Sequence, residues 1–197
     1  MDPVFASSPT YNSIFWAAYL VWMIPEVAGL FLQRSHGSSE SHDRGSFAVL
    51  LGTLWVGIFF AFLFAFGIRS AMILWHPQAF FFLGVFLIVG GVILRWYAIG
   101  VLGASFTRNV AIRPGQQIVQ TGPYRYIRHP AYTGTLVTVV GIGLALGNVL
   151  SLLTVVAGWA IGHVYRVSVE EKMLITHLGQ PYKDYMQRTR RFIPFLF

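Results

Sequence analysis

The chain has 197 residues, of which 55% are apolar, 16% aromatic and only 11% charged, and it carries a net charge of +7. Soluble globular domains have about 25% charged residues, so this composition excludes an ordinary soluble fold and marks a membrane protein. The absence of cysteine excludes disulfides, thiol nucleophiles and thiolate-bound metal.

A bilayer core of about 30 Å takes roughly 20 helical residues. In chain order the apolar runs predict spans over residues 10–32, 47–69, 78–102, 130–147 and 149–167. The first contains Glu26 directly after Pro25, and a carboxylate at that depth needs a partner, for which Arg95 at the cytoplasmic end of the third span is one candidate. The segment from Gln33 to Ser46, with His36 and His42, reads as a polar connector, and no metal site is expected. After the third span, Gly100, Gly103, Pro114 and Gly115 break the chain into a long loop, with the first two glycines expected to serve close helix approach. The uncharged run from Pro130 to Tyr165 would be about 54 Å long as one helix. It must therefore turn back, and Gly147-Asn148 is the natural place. From Ser168 onward the chain is expected to extend the fifth helix and end in a short tail.

The reading is an all-α, polytopic helical membrane protein of about five spans, a single domain over residues 1–197 with a cytoplasmic C-terminal helical segment. Polar site segments fall at 103–132 and 166–197. Arg34 and Arg44, the arginines from Arg95 to Arg128, and the basic residues after Tyr165 all fall on one side, whereas Arg69 falls on the other. The positive-inside rule then puts the C-terminus and the site in the cytoplasm and the N-terminus outside. Topology and anionic lipid account for the positive charge, with no nucleic-acid partner.

Arg128-His129-Pro130 opens the fourth span, where proline suits the first helical turn and free backbone N–H groups favour an anion. His163, Arg166 and Glu170 share one face of the fifth helix. Part of that stripe has a plain explanation, an Arg166–Glu170 ion pair one turn apart. A further cluster runs from Glu170-Glu171 through Tyr182 and Tyr185 to Arg190-Arg191. Ionisable groups at a membrane edge point to chemistry, and a helical hairpin can bring the two clusters together on one face of the bilayer.

Taken in order, Gly103-Ala-Ser-Phe-Thr-Arg-Asn109, Gly122-Pro-Tyr-Arg-Tyr-Ile-Arg-His-Pro-Ala-Tyr-Thr-Gly134, Glu170-Glu171-Lys-Met-Leu174, Gly179-Gln-Pro-Tyr182-Lys-Asp-Tyr185 and Ile193-Pro194 form a specific set. Through them the segment from Arg95 onward resembles the isoprenylcysteine carboxyl methyltransferases, within the wider group of membrane methyltransferases that includes phospholipid methyltransferases. The resemblance implies S-adenosylmethionine as methyl donor and S-adenosylhomocysteine as its product. It implies Gly122, Tyr124, Arg128, His129, Tyr132, Glu171, Leu178 and Tyr182 as cofactor-site candidates. Arg166 falls where the family is expected to hold the substrate carboxylate, while Ser168 stands where some relatives have a second arginine. The catalytic candidates are Arg166, Glu170 and Arg128, and the substrate candidates are Arg166, Glu26 and Tyr185.

The expected activity is carboxyl O-methylation of a prenylcysteine or similar isoprenoid carboxylate, whose lipid part enters from the bilayer. One alternative is a phospholipid amine N-methyltransferase, in which Glu170 or His163 must act as base because an ammonium has to lose a proton before attack. A second is a membrane NADPH-dependent, sterol-type reductase. A third is a scaffold without catalysis, against which the ionisable stripe speaks.

Overall fold

The computed structural model describes residues 3–32, 45–105 and 117–193. His36 and His42 of the connector, Thr107-Arg108-Asn109 of the first motif, Pro114-Gly115 and Pro194 lie outside the described residues.

The chain is built from α1 (Pro9–Leu32), α2 (Ser46–Gly67), α3 (Pro77–Leu102), α4 (Pro130–Ala145), α5 (Val149–Leu178) and α6 (Gln180–Arg188). Of these, α2, α3 and α5 are long and apolar enough to cross a membrane. The expected fourth span, 130–147, is shorter than anticipated, because α4 has 16 residues and Leu146 to Asn148 are needed for the turn. At 1.5 Å per residue it measures about 24 Å, less than a full hydrocarbon core. α1 has the length, but Thr10, Asn12 and Ser13 in its first turns and Glu26 near its end dilute its apolar character. α5 has 30 residues, about 45 Å, and so carries Glu170 and Glu171 beyond the thickness of a bilayer core.

The chain reverses between α4 and α5 at Gly147, whose φ of 66° suits glycine. Asn148, fully buried, then secures two helix ends at once. Its Oδ1 accepts from the amides of Leu150 (2.9 Å) and Ser151 (3.2 Å), capping α5. Its Nδ2 donates to the carbonyls of Phe64 (3.1 Å) and Ile68 (2.9 Å) at the end of α2, each of which also accepts from a backbone amide, of Ile68 and Ala71 respectively.

α3 packs chiefly on α4, and α2 on α5. Between helices in lipid, small residues allow the close approach that hydrophobicity alone does not drive. A Cβ at Gly91 would lie 2.6 Å from the Gly134 carbonyl oxygen, and one at Gly141 would lie 2.6 Å from that of Gly84, so the α3–α4 interface requires glycine on both sides. The α2–α5 interface uses Gly158 in the same way, against the Thr53 carbonyl at 2.5 Å. The expectation for Gly100 and Gly103 is corrected. Among the described residues, nothing stands within 4 Å of a Cβ at either position. Past Arg95, α3 meets Tyr124 and Ala131 through Ala98 and Ile99, and Gly103 instead ends the helix with φ 51°. Outward-facing Phe59, Phe86, Ile93 and Ile161 are more than three-fifths exposed, as side chains in contact with lipid must be.

Adjacent glycines test this packing. Gly91→Ala should lower the thermal midpoint of the detergent-purified protein, since overpacking costs about 1–3 kcal/mol. Gly90→Ala, whose Cβ meets nothing within 4 Å, should leave it unchanged or raise it. Equal shifts in the two variants would refute the requirement for close approach.

Candidate active site

The carboxylate of Glu171 ties three parts of the chain together. It is 3% exposed, near the end of α5. Its Oε1 accepts from Arg128 Nε at 2.8 Å and from His129 Nε2 at 3.3 Å, and its Oε2 accepts from Arg191 Nε and Nη2 at 3.0 and 2.7 Å. A carboxylate without its proton can only accept, so His129 Nε2 carries the hydrogen. The backbone extends the same closure. The amides of Arg128 and His129 donate to the carbonyls of Arg190 (2.7 Å) and Arg191 (3.1 Å), and the Arg190 amide donates to Tyr126 (3.2 Å). Thr133 Oγ1 donates to the Phe192 carbonyl at 2.6 Å, and Arg128 Nη1 to that of Met186 at 3.0 Å. The amides of Arg128 and His129, just before α4, are thus taken by the returning tail.

α6 lies against the turn Gly122–Arg125, where Gly122 has a φ of 55° and is exposed. Tyr185 donates its hydroxyl to the Tyr124 carbonyl at 2.7 Å, and the Tyr182 and Tyr185 rings lie 5.9 Å apart. Burial raises the hydroxyl pKa values of Tyr124 and Tyr182, with Glu170 adding to the rise at Tyr124 and Glu171 and Glu170 adding to it at Tyr182. Burial pushes Tyr185 up to about 12, although Arg128 pulls it the other way. All three therefore remain neutral phenols at working pH. Leu178 ends α5, half-buried, beside Gly179.

On the membrane side of this polar layer is a cavity of about 110 Å³. α1 and α2 supply its apolar walls, including Trp22, Leu50, Leu54 and Trp55, while Glu26, Arg95, Tyr132, Thr135, His163 and Arg166 supply its polar part. Arg95 binds Glu26 through two bonds, Nε to Oε1 and Nη2 to Oε2, the second at 2.9 Å. This is the partner the sequence proposed for Glu26. Arg95 Nη1 also reaches the Ala131 carbonyl and Thr135 Oγ1, each at 3.3 Å, and so ties α3 to the first turn of α4. Buried Arg166 donates to Ser46 Oγ at 2.8 Å and to the Tyr132 hydroxyl at 3.4 Å. Tyr132 in turn donates to Glu170 Oε2 at 2.9 Å, so one hydroxyl links the cavity to the polar layer.

The candidates thus fall into two groups. Arg128, His129 and Glu171 share the closed ionic cluster, with Tyr124, Tyr182 and Tyr185 next to it. Glu26, Arg166 and Tyr132 line the cavity, with Glu170 one hydrogen bond away. Tyr185 lies outside the cavity lining, its hydroxyl directed to Tyr124. The sequence reading did not place Ser46, Thr135 or the walls from α1 and α2 at the site. Their only signals were a serine opening an apolar run and small or aromatic residues that look like ordinary core. Arg191 was legible as basic but not as a partner of Glu171.

The ionic cluster predicts a local opening. In Glu171→Ala, amide hydrogen exchange at His129 and Arg190 should rise strongly, because removing one member of a buried charge cluster costs about 3–5 kcal/mol. In Glu170→Ala these amides should stay protected. Unchanged exchange in Glu171→Ala would refute the role of the cluster in holding the tail.

The model of the isoprenylcysteine carboxyl methyltransferase family matches residues 82–176. Protein-S-isoprenylcysteine O-methyltransferase B of Arabidopsis thaliana is 35% identical over 116 residues, covering 57% of this chain and 58% of that protein. The protein-S-isoprenylcysteine O-methyltransferase of Dictyostelium discoideum is 35% identical over 115 residues, covering 56% of this chain and 48% of its own length. The chain therefore spans about half to three-fifths of the length of these curated relatives. The solved structure of the eukaryotic intramembrane Ras methyltransferase, an isoprenylcysteine carboxyl methyltransferase, superposes with a TM-score of 0.56 at 25% identity, over 94% of this chain and 62% of that one. Motif order, family model and fold agree that this is an integral membrane protein whose residues 82–176 are similar to the isoprenylcysteine carboxyl methyltransferase family.

Proposed function

We propose that the chain is an S-adenosylmethionine-dependent methyltransferase acting on a carboxylate carried by an isoprenoid lipid, of the prenylcysteine type. The observation that carries this reading is the cavity: apolar walls on α1 and α2 lead to the buried guanidinium of Arg166, and Tyr132 joins that point to the polar layer above. A lipid tail suits the walls and an anionic head suits the arginine.

Tyr124, Tyr132, Tyr182, Gly122 and Leu178, with Arg128, His129 and Glu171 as frame, would hold the methyl donor. The donor set fits, since neutral phenol faces and the nearby Glu170 carboxylate favour a sulfonium cation. Bound S-adenosylmethionine supplies a methyl on positively charged sulfur, and transfer to a carboxylate oxygen leaves a neutral thioether and a methyl ester. A carboxylate is already ionised at neutral pH, so no residue needs to serve as base. Arg166 holds the acceptor carboxylate with its fork, while Tyr132 and Ser46 orient that fork. Arg95, saturated by Glu26, keeps the first turn of α4 in place beside it. The walls exclude water, and alignment of the reactants accounts for about 7–11 kcal/mol of the acceleration.

In this proposal the whole chain acts as one domain. α1 and α4 complete a five-helix bundle around α2, α3 and α5, with the N-terminus outside and the Glu171 cluster on the cytoplasmic side. Single cysteines at Trp75, exposed at the end opposite the site, and Gln187 on α6 should react with membrane-impermeant reagent from opposite sides. Reaction of both from one side would overturn the orientation.

Arg166→Ala should keep most affinity for S-adenosylhomocysteine and lose about ten- to a hundredfold in turnover of a prenylcysteine acceptor, the cost of a lost charge-assisted bond. Arg166→Lys should rescue only in part, because an ammonium keeps the charge but not the fork. Wild-type turnover in Arg166→Ala would place carboxylate holding elsewhere and favour an amine acceptor.

A further inference from the structure

Arg125 and Arg190 carry charge that nothing beside the ionic cluster balances. Both are exposed, and among the described residues neither has a carboxylate partner, whereas Glu171 pairs Arg128 and Arg191, and Glu26 pairs Arg95. The tail brings the two together. The Arg190 amide donates to the Tyr126 carbonyl at 3.2 Å, and Arg190 bridges to Ile127, two residues on from Arg125. Arg128 and Arg191 belong to the same two segments, so four arginines crowd into this closure, and Glu171 offsets one of their charges. Like charges so close together oppose the contact that holds the tail in place.

The patch also stands where the chain enters the membrane. Four residues after Tyr126 begins α4, and the tail runs down beside its first turn, where Thr133 Oγ1 holds the Phe192 carbonyl. Phe192 turns inward onto Trp159, their ring centroids 5.2 Å apart. Ile193, next along, is 39% exposed, and Tyr126 is 54% exposed, with the Arg125 guanidinium carbon 5.9 Å from its ring centroid. Water suits unpaired arginines, and positive charge at a membrane edge is ordinary. Water does not suit an isoleucine and a tyrosine ring exposed beside them. A phospholipid meets all four side chains at once, with acyl chain against Ile193, the interfacial ring of Tyr126, and an acidic headgroup between the arginines.

We propose that Arg125, Tyr126, Arg190 and Ile193 form a binding site for an anionic phospholipid of the surrounding leaflet, whose headgroup closes the C-terminal tail over the polar layer. The lipid phosphate balances the charge that Glu171 leaves over. A zwitterionic lipid cannot do so, because its own ammonium already offsets its phosphate. The pairing of Arg125 with Arg190 exists only while the tail is closed, so a ligand that needs both shifts the balance toward closure. The charge of the bilayer thereby governs how long the Glu171 cluster stays assembled.

Amide hydrogen exchange at His129 and Arg190 reads this closure in the full chain, reconstituted in nanodiscs of phosphatidylcholine alone or mixed with phosphatidylglycerol. Phosphatidylglycerol should slow exchange at both amides about ten- to thirtyfold, as two arginines at an anionic surface provide. Arg125→Gln/Arg190→Gln should abolish the difference between the bilayers, because the backbone bonds of the tail remain but the headgroup has lost its partners. Lys172→Gln/Lys183→Gln, which removes the same charge from exposed positions on α5 and α6, should retain it. Equal exchange of the wild type in the two bilayers, or an equal loss in both double variants, would overturn the site. So would the same protection from inorganic phosphate added to phosphatidylcholine nanodiscs, since the ligand would then be a free anion. The wild-type comparison decides the matter even if the variants do not fold. Titration with S-adenosylhomocysteine in the same nanodiscs keeps this inference apart from the proposed activity. Phosphatidylglycerol should tighten that binding as well; protection without tighter binding would support the lipid site and remove the tail from the cofactor site.

Discussion

Charge at the edge of a low-dielectric slab must be paired, and much of the site's architecture follows from meeting that requirement. Glu171 lies deep among helices, where an isolated carboxylate would be intolerable. Arg128, His129 and Arg191 satisfy it, and they come from two segments distant in sequence from α5 and from each other. Pairing the charge therefore pulls the C-terminal tail onto the approach to α4. The backbone bonds between 126–129 and 190–191 follow from the same closure.

The same logic operates one layer deeper. Glu26 and Arg95 neutralise each other across α1 and α3, and Arg95 also grips the first turn of α4. α1 has little packing of its own against α4, so this pair gives the apolar wall a fixed position beside the polar part of the cavity. Arg166, held by hydroxyls from Ser46 and Tyr132, then stands where the apolar walls of the cavity meet the polar layer. Glycine interfaces between α3 and α4 and between α2 and α5 bring the helices close enough for such short side-chain bonds to form.

Much of this was legible before any fold was known. Composition alone implied a polytopic helical protein, and the length of the run after Pro130 required a reversal near Gly147. The motif order from Gly103 onward pointed to the family that the comparisons support. Glu26 also advertised its need for a cation, and Arg95 supplied it. The depth of α4 was less legible, because hydropathy does not reveal how many residues a turn consumes. Gly100 and Gly103 misled for a related reason: a glycine looks alike in sequence whether it meets a helix, ends one or faces open space.

Local patterning thus determined which segments are helical, where the chain must turn and which ionisable residues stand at the membrane edge, because these depend on periodicity and desolvation over neighbouring residues. Only the tertiary structure decided that Arg191 completes the Glu171 cluster, that Tyr132 bridges Arg166 to Glu170, and that His163 faces a cavity walled by α1 and α2. Such contacts join residues tens of positions apart. They depend on crossing distances set by glycines and on which face of each helix turns inward, and a single sequence carries no local signal for either.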